Sequence, residues 1–265
     1  MSAQQTQPQN PDSSLGSSPQ LILACDTSQQ ACSVAVRDSA HGKITALYEE
    51  IGTGHAEILP QMLQDVLQKA GCQVTDLDAL GVTIGPGTFA GVRVGLAAMR
   101  AFALVAGAPI YTLTSLALMA QTQSAQTQIA QTQSAQTQTS QSRQADAAQA
   151  DLACLIDARR GQLYVQCFAP TGRPINEAAV LSHEAAAALL AAKPYRLVGT
   201  GASLMVEGGA PLSAYPVDEI IYPNAADFFA ALDMGLAQRE LKPAPLYLRP
   251  PDAALPKTDQ KLKRQ

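Results

Sequence analysis

The run Ala79-Leu-Gly-Val-Thr-Ile-Gly-Pro-Gly-Thr-Phe-Ala-Gly-Val-Arg-Val-Gly-Leu, with the helical pattern that follows it to Gly107, constrains the fold more than any other part of the chain. Leu80, Val82 and Ile84 read as a buried strand that breaks at Gly85-Pro86-Gly87. Thr88 can then cap a helix that stops at Gly107, with Pro109 beyond. Phe89, Val92, Leu96, Met99, Ala103 and Ala106 recur at three-and-four spacing and make an apolar stripe for a core. Gly91, Gly95 and Ala98 form a second stripe about 100° away, nearly without side chains. Each glycine costs roughly 1 kcal/mol in a helix interior, so something must approach that backbone closely. A helix of the same chain and a helix of another chain both satisfy the pattern.

The turn also fits the loose dinucleotide fingerprint as Gly85-x-Gly87-x-x-Ala90. No acidic residue follows at the distance that would hold a ribose, and no Lys-Ser/Thr pair follows the glycines. The turn is therefore read as structural.

The rest of the chain arranges itself around this unit. Leu21 to Asp26 and Cys32 to Asp38 read as a strand hairpin, with Ile44 to Glu50 as a third strand. His55 to Ala70 carries Leu59, Met62, Leu63, Val66 and Leu67 at helical spacing and ends at Gly71, with Pro60 near the first turn. After residue 150 the opening pattern returns. Leu152 to Asp157 is again an apolar strand ending in aspartate, and Gln162 to Phe168 is its partner. A helix capped by Ser182, a strand at Arg196, and a final amphipathic helix from Ala225 to Gln238 complete this second half.

Between the halves, Gln121 to Ala150 repeats Gln-Thr-Gln-Ser-Ala with variations. A period of five lays no apolar stripe on a helix or a strand, so the tract is expected to stay out of the packed core, as a linker or insert that either extends or frays the helix starting at Ser115. Residues 1–20 and the basic end 251–265 are expected to be disordered. The expected organisation is a lobe over 21–118, an insert over 119–150 and a second lobe over 151–250.

Composition narrows the function. A net charge of -4 argues against a broadly basic surface and leaves room only for a local basic patch. Five scattered cysteines without a Cys-x-x-Cys pattern read as buried free thiols in a reducing cytosol. His41, His55 and His183 are not spaced as metal ligands on one helical turn. Arg93 and Arg100 interrupt the best apolar run, so no membrane span is expected.

Two halves that each open on a hairpin ending in aspartate resemble the two-lobed actin-like ATPase architecture of sugar kinases and Hsp70, an α/β fold built from a duplicated βββαβα unit. Leu23-Ala-Cys-Asp-Thr-Ser, His55-Ala-Glu-Ile-Leu-Pro, Ile84-Gly-Pro-Gly-Thr-Phe-Ala-Gly-Val-Arg-Val-Gly, Asp157-Ala-Arg-Arg-Gly-Gln-Leu-Tyr and Tyr247-Leu-Arg resemble the successive motifs of the TsaB (YeaZ) family. That resemblance implies a cytoplasmic, non-catalytic subunit for tRNA threonylcarbamoyladenosine, docked on a TsaD-like transferase and joined by a TsaE-like ATPase. A homodimer of the free chain stays open, and tRNA is reached only through the complex. The TsaD-like paralogue binds metal through His-x-x-x-His, whereas here Leu59 follows His55 by four residues, so no metal is expected on this chain. ATP, too, is expected on the partners, because Gln29 and Gln30 stand where the kinases place a phosphate-approaching glycine. Asp26 and Asp157 are then strand-end residues bonding their turns. The expected partner face comprises His55, Leu59, Met62, Gly91, Gly95, Ala98 and Phe102. The competing reading is an enzyme of the same fold, a small-molecule kinase or a metallopeptidase.

Overall fold

Alternation along the first strand sets the architecture, because Leu23 and Cys25 point to one side and Ile22 and Ala24 to the other, and all four are fully buried. A strand buried on both faces needs a layer on each side. The computed structural model describes residues 19–135, 149–207 and 221–249. The expected tails, except Pro19 and Gln20, and much of the Gln-rich tract lie outside those residues; the Gln20 amide donates to the Asp78 carboxylate at 2.9 Å, so Gln20 is held to the fold ahead of Leu21.

The first lobe runs β1 (Leu21–Asp26), β2 (Ala31–Asp38), β3 (Lys43–Glu50), α1 (His55–Ala70), β4 (Ala79–Thr83), α2 (Phe89–Ala106) and β5 (Ile110–Leu113). α3 (Ser115–Ala135) leads into the second lobe, which runs β6 (Asp151–Asp157), β7 (Gln162–Phe168), β8 (Ala179–Ser182), α4 (His183–Leu190), β9 (Tyr195–Val198) and α5 (Ala202–Glu207). The chain then returns through α6 (Phe228–Asp233) and β10 (Gln238–Glu240). β1, β2 and β3 pair antiparallel, and β4 joins the other edge of β1 in parallel. β6, β7 and β8 repeat the antiparallel run, with β9 parallel to β6. The βββαβα unit is duplicated, in the arrangement of an actin-like fold.

α1 and α2 cover the face that carries Leu23, Cys25, Val34 and Val82, with Leu59, Leu63 and Val66 from α1 and Val92, Leu96 and Met99 from α2. The opposite face, with Ile22, Ala24 and Ala35, is closed by Leu118 of α3 and by Phe228 and Phe229 of α6.

The structure corrects two expectations. The final helix is shorter than the Ala225–Gln238 pattern: it ends at Asp233, Gly235 turns the chain at φ 72°, and Gln238–Glu240 pairs antiparallel with β5. This returning segment belongs to the first lobe's sheet, so that sheet has six strands among the described residues, in the order β10-β5-β4-β1-β2-β3.

The second correction concerns the tract. Gln121, Thr122, Gln123 and Ser124 are buried, because α3 continues into the repeats as the joint between the lobes. Leu116, Met119 and Ala120 pack on Leu152, Cys154 and Phe168 of the second sheet. Beyond them the polar side chains find partners across the joint. The Gln121 amide donates to the Gly172 carbonyl at 2.9 Å and the Ser124 hydroxyl to the Pro170 carbonyl at 3.0 Å. The Asn224 amide donates to the Thr122 hydroxyl at 3.1 Å, and Arg196 to the Thr127 hydroxyl at 2.7 Å. Buried polar groups satisfied in this way form a seam without an apolar stripe.

Candidate interaction surface

α2 begins where its sequence says it should. The Thr88 hydroxyl accepts from the Gly91 amide at 3.2 Å, and Gly107 ends the helix in the left-handed region at φ 65°. α1 lies beside it and ends at Gly71, also left-handed.

Of the seven residues expected on the partner face, five point inward. His55, Leu59, Met62, Gly91 and Gly95 are buried within this chain, and Ala98 and Phe102 are half-buried against the same core. The neighbour of the small-residue stripe is neither a helix of this chain nor a helix of another. It is the end of β1. A methyl carbon at Gly91 would stand 2.1 Å from the Thr27 carbonyl oxygen, and one at Gly95 would stand 2.6 Å from the Thr27 hydroxyl. That hydroxyl donates to the Gly91 carbonyl at 2.7 Å, so the Thr27 side chain ties the strand end to the helix backbone.

The open side of α2 is elsewhere. Leu104 is 87% exposed, Phe89 72% and Val105 63%, and Ala90, Ala97 and Ala101 are exposed with them. Ala97, Ala101, Leu104 and Val105 follow the spacing of one helical stripe, so the surface is a continuous apolar strip, not scattered residues. Phe89, expected in the core stripe, instead lies under the Arg93 guanidinium at 3.2 Å. The sequence held a signal for this surface. α2 is apolar nearly all round, long and hydrophobic enough to match a membrane-crossing helix with a mean hydropathy of 1.6, yet a helix on a sheet buries only one side.

The hairpin aspartates bond their own turns. Asp26 is fully buried and accepts from the Ser28 hydroxyl at 2.9 Å, the Ser28 amide at 3.3 Å and the Thr83 hydroxyl. Burial pushes its carboxyl up to about 6, against the pull of these hydrogen bonds. Asp157 accepts from the Arg159 amide at 2.7 Å and pairs with the Arg159 guanidinium at 3.2 Å. Gln30 is held by the Tyr222 hydroxyl at 2.9 Å, whereas the buried Gln29 side-chain amide has no hydrogen-bond partner among the described residues. The His55 ring reaches the Ala31 carbonyl at 3.2 Å.

Asp26 gives a pH-dependent stability. Its folded-state value near 6 lies above the ordinary aspartate value of 3.8, so the stabilisation is present below about pH 4 and is lost as pH rises through 6. Asp26→Asn keeps an acceptor for the two hydroxyls and cannot ionise. Between pH 4 and pH 7 the wild-type chain is expected to lose on the order of 2 kcal/mol that the variant keeps, as read from urea midpoints at the two pH values. Equal pH dependence in the two proteins would place the titration elsewhere.

A family model, TsaD: tRNA N6-adenosine threonylcarbamoyltransferase, matches residues 49–207. The tRNA threonylcarbamoyladenosine biosynthesis protein TsaB of Escherichia coli K12 is 39% identical over 100 residues, which are 38% of this chain and 42% of that protein. The tRNA N6-adenosine threonylcarbamoyltransferase of Erythrobacter litoralis is 38% identical over 96 residues, 36% of this chain and 28% of the relative. These matches therefore span less than half the length of the curated relatives. YeaZ from Pseudomonas aeruginosa superposes with a TM-score of 0.66 at 28% identity, over 86% of this chain and 99% of that one.

Proposed function

The chain belongs to the family of the tRNA N6-adenosine threonylcarbamoyltransferase TsaD, on its TsaB (YeaZ) side, and from that premise we propose that it is a non-catalytic scaffold subunit in tRNA threonylcarbamoyladenosine synthesis. It docks a TsaD-like transferase, with a TsaE-like ATPase joining the pair in the cytoplasm, and tRNA, ATP and metal are handled by the assembly. The observation that carries the reading is the exposed apolar strip of α2, a face of about two turns on a helix whose opposite side is already core. A second copy of the chain can use the same strip when the transferase is absent.

The non-catalytic part rests on side chains already in use. Leu59 fills the core one turn beyond His55, where the transferase branch is expected to place its second metal-binding histidine. Asp26 is sealed under Ser28 and Thr83.

Reconstitution tests the proposal. A tagged chain is expected to retain the transferase at one-to-one stoichiometry, to form no modified adenosine alone, and to restore modification when added to transferase, ATPase, ATP and the threonylcarbamoyl donor. Full modification without this chain, or modified adenosine formed by the chain alone, would overturn it.

A further inference from the structure

We infer that an arginine row from the start of α2 to the β6–β7 turn is a contact surface for an RNA phosphate backbone. The inference goes beyond docking, gives this chain an RNA contact of its own where the family resemblance implied tRNA only through the complex, and rests on the preceding reading only for which RNA is bound.

The row is continuous. Arg93 donates to the Phe89 carbonyl at 2.9 Å, stacks on the Phe89 ring and hydrogen-bonds the Tyr247 hydroxyl, with its guanidinium 5.4 Å from the Tyr247 ring centre. The segment carrying Tyr247 is pinned to the first lobe by the Leu246 amide, which donates to the Ile84 carbonyl at 2.7 Å. Two residues beyond Tyr247, at most about 7 Å along the chain, stands Arg249. Arg249 donates to the Arg159 carbonyl at 3.3 Å and to the Gln162 side chain, which carries the row across to the second lobe.

At its far end the β6–β7 turn holds Arg159 and Arg160 at φ 62° and 56°, followed by Gly161 at 70°. The left-handed region is rare for residues other than glycine and, to a lesser degree, asparagine and aspartate. Arginine has no local advantage in it. The turn puts two exposed arginines next to each other in the chain, and Asp157 pairs with Arg159 at 3.2 Å. The result is a concentration of positive charge on a chain whose net charge is -4.

The chemistry selects RNA over other anions. A guanidinium matches phosphate oxygens in a planar fork and also stacks. Phe89 and Tyr247, the latter 56% exposed, interleave aromatic surface with the arginines. Unstacked bases use such platforms, whereas the carboxylates of an acidic peptide do not stack on them.

The test uses the full chain and a fluorescein-labelled tRNA anticodon stem-loop, with binding followed by anisotropy from about 50 to 200 mM salt. Arg159→Asn/Arg160→Asn removes both charges with a residue that tolerates the left-handed turn, and Arg159→Glu/Arg160→Glu reverses them. The neutral variant is expected to bind roughly tenfold more weakly, with a salt slope lower by about 0.7 for each phosphate that is no longer neutralised, and the reversed variant more weakly still. Phe89→Leu is expected to weaken binding with the slope unchanged, while Lys43→Glu on the exposed strand β3 has no effect. Wild-type affinity and slope in both arginine variants, or no binding by the wild-type chain at low salt, would overturn the inference. Displacement of the RNA by polyglutamate at equal charge concentration would assign the row to an acidic protein instead. Transferase co-purification with the same variants separates the two readings. Retained transferase with unchanged RNA binding removes only the RNA row, and a wild-type chain that binds RNA but retains no transferase removes only the docking reading.

Discussion

Gly91→Leu is expected to melt at least about 6 °C below the wild-type chain before any partner is added. The first carbon of any side chain at this position would stand 2.1 Å from the Thr27 carbonyl oxygen, which is backbone and cannot rotate away. Either β1 or α2 must shift, and both are central to the core that joins Leu23, Cys25, Leu63, Val82 and Leu96. Overpacking costs roughly 1 to 3 kcal/mol, more where the obstacle is backbone, and the shift also breaks the 2.7 Å bond from the Thr27 hydroxyl to the Gly91 carbonyl. At the upper end, which a backbone obstacle calls for, the lost hydrogen bond adds about 1 kcal/mol and leucine's better helix propensity returns up to about 1 kcal/mol, so the net loss is about 3 kcal/mol. In a chain of this size each kcal/mol moves Tm by about 2 to 4 °C. Gly95→Leu meets the Thr27 side chain at 2.6 Å and follows the same direction with a smaller loss. Calorimetry of the isolated variants decides. A Gly91→Leu chain with wild-type Tm would mean that the stripe faces outward, as a partner-facing helix would have it.

The helix caps were legible in the sequence because they are local: Thr88 and Ser182 accept from amides three residues on, and Gly71 and Gly107 stop their helices in the left-handed region. The duplication was legible because a strand ending in aspartate before a polar turn recurs at Asp26 and Asp157. The inward side of α2 was legible only in part: Val92, Leu96 and Met99 of the apolar stripe are core, with Ala103 and Ala106 packed against them, but Phe89 is exposed and the small stripe also turns inward. Its sequence has a small stripe, a large apolar stripe and an outer strip of alanines with Leu104 and Val105, and periodicity cannot rank three apolar sectors against neighbours it does not see. The closest approach belonged to the small stripe because the end of β1 runs beneath it.

Long-range partners hid the rest. Gln121 and Ser124 read as linker because their carbonyl partners, Gly172 and Pro170, lie 51 and 46 residues away. A polar residue is core when such a partner exists, and composition does not encode one. The pairing of Gln238–Glu240 with β5 went unread for the same reason, since the helical pattern before Gly235 gives no hint of the sheet edge beyond it.

The outer strip of α2 then makes the sharpest test of the scaffold reading. Leu104→Glu/Val105→Lys is expected to leave the free chain's Tm within about 2 °C of wild type, because both side chains project into solvent and substitutions at such positions shift stability by about 0.5 kcal/mol. Glutamate and lysine are also at home in a helix. Binding should fare differently. Burying a leucine or valine contributes roughly 1.5 to 3 kcal/mol each, and a charge put in its place at the centre of an apolar contact adds a desolvation penalty. At 1.4 kcal/mol per tenfold, the pair should weaken transferase binding by at least about 100-fold. Titration calorimetry against the TsaD-like transferase reads the affinity, and sedimentation of the free chain reads any self-association through the same strip. Both should weaken together if, as proposed, a single face serves both. A stable double variant that binds the transferase at wild-type affinity would move the docking surface off α2 and leave Leu104 and Val105 as ordinary exposed residues.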